Sequence, residues 1–166
     1  MMPTCQAEAW ALDRPLLDKP KRILPPVYFL AALVTMAGLH FFPPIAQILK
    51  PPHFYSGGFL IVGGVVVIIW AARLFERAGT TIKPFEESSM LVVGGPYRYS
   101  RNPMYLGMVF VLTGVGIVLG TLSPFAVIPV FIWLIQRRFI QPEEEMLETT
   151  LGPAYVEYKR RVRRWL

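Results

Sequence analysis

From Asn102 to Gln136 the chain runs for 35 residues without a charged side chain. A surface helix or strand of a water-soluble domain turns at least one face to water, and nothing in this run provides such a face. It is also too long for a single core strand or an ordinary core helix, so it reads as membrane-embedded. The centre of the run, Leu119 to Pro124 (LGTLSP), carries a glycine, a serine and a proline and reads as a turn. The run is therefore a hairpin of two apolar helices. Two full crossings take roughly 40 residues at about 20 each, so the hairpin should either tilt little or extend its ends into the flanking polar segments.

Two more apolar runs precede it. Val27 to Leu49 is long enough to cross, with Pro43-Pro44 expected to bend its far end. Gly57 to Phe75 is the second, and Gly57, Gly58, Gly63 and Gly64 offer it small faces for close helix packing. A nucleotide loop is disfavoured there because no strand precedes the glycines. The expected fold is all-α: a polytopic membrane protein with about four transmembrane helices, the last two a tight hairpin. Residues 1–166 then form a single integral-membrane domain. Composition agrees, with 54% hydrophobic residues, only 17% charged and a mean hydropathy of +0.44.

Sixteen of the 17 lysines and arginines fall on one side of such a bundle, and only Lys50 falls on the other. Because cytoplasmic loops collect lysine and arginine, both termini and the polar segments should be cytoplasmic. Residues 1–22 mix acidic and basic side chains with no apolar core of a leader, and Trp10, Leu12, Leu16 and Leu17 fit an interfacial segment. Cys5, the single cysteine, has no partner for a disulfide. His40 and His53 have no partner at ligand spacing, so no metal is expected. The basic tail YKRRVRR suits lipid headgroups, so membrane lipids and not nucleic acid are the expected partners.

Beyond the hairpin, QPEEEMLETTLGPAYVEYKRRVRRWL is too polar to span. Pro142 suits a first helical turn, and Glu143, Glu144 and Glu145 suit a helix N-terminus. Gly152-Pro153 should end that helix and start another. The second piece sets Tyr155, Tyr158 and Val162 on one face, which predicts amphipathic C-terminal helices on the cytoplasmic surface.

Two polar blocks could carry chemistry, Thr80 to Gly107 and Glu143 to Arg164. Arginines at a span end are usually topology signals and tyrosines there usually interfacial anchors, so Arg98, Arg101, Tyr97 and Tyr99 have an ordinary explanation. A glutamate cluster is likewise usually a solvated helix start. The combination GGPYRYSRNPMYLG (Gly94 to Gly107) asks for more. Proline at 103 pushes Asn102 out of the helical region and then fits the first turn of the next helix. Backbone N–H groups at a positive helix end, beside two arginines, can hold an anion. Gly94-Gly95 lets backbone approach a ligand closely.

These residues resemble the isoprenylcysteine carboxyl methyltransferase family, within the integral-membrane methyltransferases that include phospholipid N-methyltransferases. The family's Leu-Val-x-x-Gly-x-Tyr, followed by Arg-His-Pro-x-Tyr-x-Gly, is similar to LVVGGPYRYSRNPMYLG here. Its later Glu-Glu, followed by Phe-Gly-x-x-Tyr-x-x-Tyr and a basic tail, is similar to EEEMLETTLGPAYVEYKRRV. The match covers about half the chain, roughly Thr80 to Val162. Asn102 stands where eukaryotic members have histidine, Ser89 where a second histidine is common, and Arg163 where a proline is usual.

The resemblance implies S-adenosyl-L-methionine as methyl donor, bound by the 80–166 part of the chain. It also implies a lipophilic or prenylated acceptor arriving from the bilayer, and carboxyl O-methylation of an isoprenylcysteine-like substrate. Carried over by position, Leu91, Val92, Gly95, Tyr97, Asn102, Pro103, Tyr105, Glu143 and Glu144 bind the donor. Arg101, Tyr155, Tyr158 and Arg161 bind the acceptor, with Arg101, Glu143 and Glu144 catalytic. A carboxylate acceptor is already ionised near neutral pH and needs no base, and Arg101 would orient it. An amine acceptor must lose a proton, which would make Glu143 or Glu144 the base. Tyr97 and Tyr105 would pack against adenine or the sulfonium. The short chain suits a bacterial inner membrane. The competing readings are a lipid N-methyltransferase, a membrane reductase, and a non-catalytic lipid-binding scaffold.

Overall fold

The structure, a computed structural model, describes residues 24–41, 52, 54–77 and 93–166. The interfacial segment expected at 1–22, the bend expected at Pro43-Pro44, and Leu91 and Val92 lie outside the described residues. Among the described residues five helices carry the fold: α1 (Pro25–Phe41), α2 (Phe54–Arg77), α3 (Pro103–Leu119), α4 (Ser123–Leu151) and α5 (Pro153–Arg161). No β-strand occurs among the described residues. Phe54–Leu74 of α2 and the whole of α4, 21 and 29 residues, are long and apolar enough to cross a membrane. The apolar helices α1 and α3 are shorter, 17 residues each. Phe59, Val62, Val66 and Trp70 point outward from α2, and Leu30 and Val34 from α1. Apolar surface on this scale suits lipid and not water.

Glycine spacing determines how α2 meets α3. A Cβ on Gly57 would lie 2.7 Å from the Gly114 carbonyl oxygen, and one on Gly114 would lie 2.6 Å from that of Gly57. Gly64 and Gly107 repeat this reciprocal fit at 2.6 and 2.7 Å, seven residues along each helix. The two pairs run in opposite chain directions, so α2 and α3 are antiparallel and their backbones touch at two heptad-spaced points. In lipid, such close approach is a main source of helix association. Gly58 and Gly63, also expected to pack, face open space. Position within the helix turn, and not glycine content, selects Gly57 and Gly64.

Helices α1, α3 and α4 share the main core, with Met36, Leu112, Ile135 and Ile140 almost wholly buried. At one end His40 Nδ1 lies 3.1 Å from Thr121 Oγ1, tying α1 to the connection after α3. Gly120 caps α3 there in the left-handed region (φ 71°), where a side chain would be strained. All the polar chemistry described below lies at the opposite end.

Pro142 and Glu143-Glu144 do stand in the first turn of the α-helical segment Gln141–Leu151, but that segment does not follow a break in the chain. Helix α4 continues through Pro142, and the segment bearing the glutamates is the outer part of that same helix. Five residues, Gln136–Ile140, form a wide turn in which the Gln141 N–H donates to the Gln136 carbonyl, one residue further back than in an α-helix. Pro142 lacks an N–H, so an α-helical ladder would fail at this place, and the wider turn lets the helix pass it. The exposed Arg137 and Arg138 mark where α4 changes from apolar to polar side chains, and Gln141–Leu151 is its polar part. Gly152 then takes a positive φ of 54° and Pro153 opens α5, as the Gly-Pro pair predicts. The apolar face of α5 does not lie on a surface. Tyr155, Tyr158 and Val162 are buried together, against Leu147 and Leu151 of α4.

Candidate active site

Gly94 to Asn102 leads into α3 by way of a tight turn at Gly95–Arg98. Gly95 has φ of 56°, and a Cβ there would fall 2.6 Å from Leu74 Cδ1 and 3.3 Å from the Trp70 ring. The turn therefore lies directly on the end of α2, and it buries Tyr97. Asn102 opens α3 with Pro103 in the first turn, but its side chain does not cap the helix. Its Nδ2 instead donates to the Arg164 carbonyl at 3.1 Å. The first backbone N–H groups of α3 are thus left without a side-chain cap, at the positive end of the helix.

Two carboxylates reach this place from α4, and their surroundings differ. Glu144 is buried between two guanidinium groups. Arg164 grips it with both prongs, Nη2 to Oε2 at 2.6 Å and Nε to Oε1 at 3.2 Å. Arg101 Nη1 lies 3.3 Å from Glu144 Oε1, and both side chains are over nine-tenths buried. This Arg101 contact is an ion pair without hydrogen-bond geometry, since Nε and Nη1 of Arg101 are buried with no hydrogen-bond acceptor. Tyr155 sits beside the same charges. Burial raises its phenol to about 12, Glu144 adds to the rise, and Arg101 opposes it.

Glu143 has no guanidinium among its hydrogen bonds. It accepts one from the Tyr105 hydroxyl at 2.9 Å. Burial lifts its carboxyl to about 7, the Tyr105 bond pulls the other way, and the Glu144 charge adds to the rise. The Tyr97 phenol is also pushed up, by burial first and then by Tyr158 and Glu143, which puts it in the same neighbourhood. Of two adjacent carboxylates, Glu143 can therefore carry a proton near neutral pH, while Glu144 lies between two guanidinium groups. Environments that separate two such groups are how proteins assign them different tasks.

Residues 52–154 match the sequence profile of the phospholipid methyltransferase family. Over 148 residues the chain is 31% identical to protein-S-isoprenylcysteine O-methyltransferase B of Arabidopsis thaliana, covering 81% of this chain and 71% of that one. The chain belongs to the phospholipid/isoprenylcysteine methyltransferase family. It is a membrane methyltransferase.

Within this methyltransferase, Arg101, Tyr97, Tyr105, Glu143, Glu144 and Tyr155 converge at one end of the bundle, as described above. Pro103 is buried at the start of α3. Tyr158 is one step removed, its hydroxyl donating to the Tyr97 carbonyl at 2.8 Å. Arg161 is not brought in: it is exposed on α5 and pairs with Glu157 at 2.8 Å. Asn102 and Gly95 shape the backbone around the cluster. Among the described residues no group of metal-ligating side chains occurs.

Sequence reasoning missed Arg164, Ser100, Trp165 and Gln136. Ser100 is buried and its hydroxyl donates to the Arg164 carbonyl at 3.3 Å. Trp165 Nε1 donates to Gln136 Oε1, also at 3.3 Å. Nothing local marks Arg164 among the basic residues of KRRVRR. Only the extended backbone at Val162 (φ −119°, ψ 132°) turns it toward Glu144.

The cluster fits a donor such as S-adenosylmethionine on its own chemistry. It offers the carboxylates of Glu143 and Glu144 for an amino group or hydroxyls, and the rings of Tyr97 and Tyr105 for a flat base or a cation.

Proposed function

We propose that this enzyme transfers a methyl group from S-adenosylmethionine to the carboxylate of a lipophilic, isoprenylcysteine-like acceptor at the cytoplasmic face of a four-helix membrane bundle. The observation that carries the reading is the buried Arg101, with Nε and Nη1 unsatisfied, at the start of α3 beside Glu144. Leaving buried donors unpaired costs about 1–3 kcal/mol or more each, and a ligand that accepts from them recovers it. S-adenosylmethionine would supply an electrophilic methyl on a sulfonium, and a carboxylate can take it without a base. The protein's contribution is then alignment and electrostatics. Arg101 would orient the acceptor carboxylate, and Tyr97, Tyr105, Glu143 and Glu144 would hold the donor.

Two features support a lipophilic acceptor. An apolar groove of about 330 Å³ runs between α1 and α4, lined by Tyr28, Thr35, Leu39, Val127, Val130 and Phe131 among others. Its Tyr28 end stacks edge-on against Phe139, whose ring lies 6.5 Å from that of Tyr105. An acceptor chain lying in this groove would bring its polar head toward Glu143 and Arg101. The lysine and arginine distribution supports four crossings with this end in the cytoplasm.

A second reading, amine methylation of a phospholipid headgroup, is favoured by Glu143. A buried carboxyl raised to about 7 is suited to take a proton from an ammonium, a step that a carboxylate acceptor does not need. One experiment separates the two. Protein in lipid nanodiscs is given methyl-labelled S-adenosylmethionine with either N-acetyl-S-farnesylcysteine or phosphatidylethanolamine. Base-labile label on the farnesylated acid supports the carboxyl reading, and base-stable label on the headgroup supports the amine reading. Label on neither would sink both, and full activity in Arg101→Ala would sink the carboxyl reading.

A further inference from the structure

We infer that Arg164 is a positioning residue: it restrains Glu144 so that the N–H groups of Arg101 stay open to the acceptor. It is carried there by a strap, Val162–Leu166, that lies across the start of α3. This role rests on the carboxyl reading above. It concerns residues beyond the 52–154 segment that the family profile matches.

The strap is fixed at several points. After α5 the chain turns extended at Val162. The Arg101 N–H donates to the Arg163 carbonyl at 2.9 Å. Ser100 Oγ and Asn102 Nδ2 both donate to the Arg164 carbonyl, at 3.3 and 3.1 Å. Trp165 packs against the main core and bonds Gln136 in the wide turn of α4. The Arg164 carbonyl is therefore held by the residues just before α3 and the neighbouring Trp165 by α4, which leaves the Arg164 side chain against Glu144.

What Arg164 does there follows from competition for one carboxylate. Its planar fork takes both oxygens of Glu144, at 2.6 and 3.2 Å. Glu144 consequently meets Arg101 only through a 3.3 Å ion pair, and Arg101 Nε and Nη1 keep no hydrogen-bond acceptor. Without the fork, Glu144 is free to turn onto Arg101 and form the two parallel hydrogen bonds that an arginine–carboxylate pair favours. That pairing closes the donors an incoming carboxylate would use. Arg164 has a side chain about one-third exposed, against 9% for Arg101 and 7% for Glu144, so it holds the pair from the solvent side. Lysine keeps the charge but cannot reproduce the fork.

The test uses the full chain in nanodiscs with Arg164→Lys and Arg164→Ala. Affinity for S-adenosylhomocysteine is measured by calorimetry, and KM and kcat with N-acetyl-S-farnesylcysteine. In Arg164→Lys, KM for the farnesylated acid should rise roughly tenfold or more, the scale of one lost charge-assisted hydrogen bond. S-adenosylhomocysteine affinity should fall far less than KM rises, since only Glu144 among the groups holding the donor moves, and that residual binding reports an intact fold. Arg164→Ala should raise KM at least as much. Wild-type turnover with the same KM in Arg164→Lys overturns the role while leaving the carboxyl reading in place. A KM that rises only in step with lost S-adenosylhomocysteine binding also overturns it, because that is a purely structural effect. Wild-type protein that leaves the farnesylated acid unmethylated overturns the carboxyl reading and this role together.

Discussion

Gly63 and Gly64 are neighbours in one apolar helix, and alanine at each should have opposite effects. At Gly64 the new Cβ would lie 2.6 Å from the Gly107 carbonyl oxygen and 2.8 Å from Val111 Cγ2. Ordinary contact begins near 3.4 Å, so α2 and α3 must separate by about 0.8 Å, and the nearest atom is backbone that cannot rotate away. Overpacking of this kind costs about 1–3 kcal/mol. The gain from removing a helical glycine, roughly 0.5–1 kcal/mol, does not offset it. For a chain of this size the unfolding midpoint should fall by roughly 2–6 °C. Activity should suffer more. Gly107 lies two residues past Tyr105, which holds Glu143, so the separation moves the wall of the site itself. A displacement near 1 Å can lower rate by about 100-fold. At Gly63 nothing lies within 4 Å, so alanine there should be neutral or stabilising with full activity. The assay is thermal unfolding in nanodiscs alongside initial rates of methyl transfer. Equal stability and activity in the two variants would refute the heptad contact between α2 and α3.

The other predictions are narrower. Gly95→Ala forces a side chain into φ of 56° and onto Leu74 and Trp70; it should lower the unfolding midpoint and weaken S-adenosylhomocysteine binding, both measured on the same sample. Glu143→Gln should keep a bond to Tyr105 yet remove a titration. Since the folded value of about 7 lies above the ordinary 4.5, the folded protein holds this proton more tightly than the unfolded chain. Its contribution to stability is complete below about pH 4.5 and is lost as pH rises through about 7. The difference in unfolding midpoint between Glu143→Gln and wild type should therefore drift in the variant's favour across that window, and a constant difference would refute the assignment. If the acceptor is an amine, the wild-type rate should also climb through pH 7, and the variant should lose that rise. Glu144→Gln leaves the buried Arg101 and the partly exposed Arg164 without their counter-charge, and the loss of the buried Arg101 partner alone costs about 3–5 kcal/mol. It should be the least stable of these variants by thermal unfolding.

Much of this protein was determined by local sequence. The 35 uncharged residues required apolar helices, Asn102-Pro103 required a helix start, and Gly152-Pro153 a stop and restart, because backbone preference and side-chain polarity act within a few residues. The two polar blocks were legible for the same reason, and their motifs carried the family. Tertiary structure decided what local preference leaves open. Four glycines in α2 look alike in the sequence, and only the register against α3 selects Gly57 and Gly64. Pro142 reads as a helix start, yet a wide turn just before it absorbs the missing N–H and α4 runs on. Asn102 reads as a ligand to the donor, but its amide is held by a carbonyl 62 residues away. Arg164 is one arginine among several until the extended turn at Val162 brings it against Glu144. Each of these depends on which distant group comes within hydrogen-bond or van der Waals reach, and that is fixed by how the helices pack, not by the residues on either side.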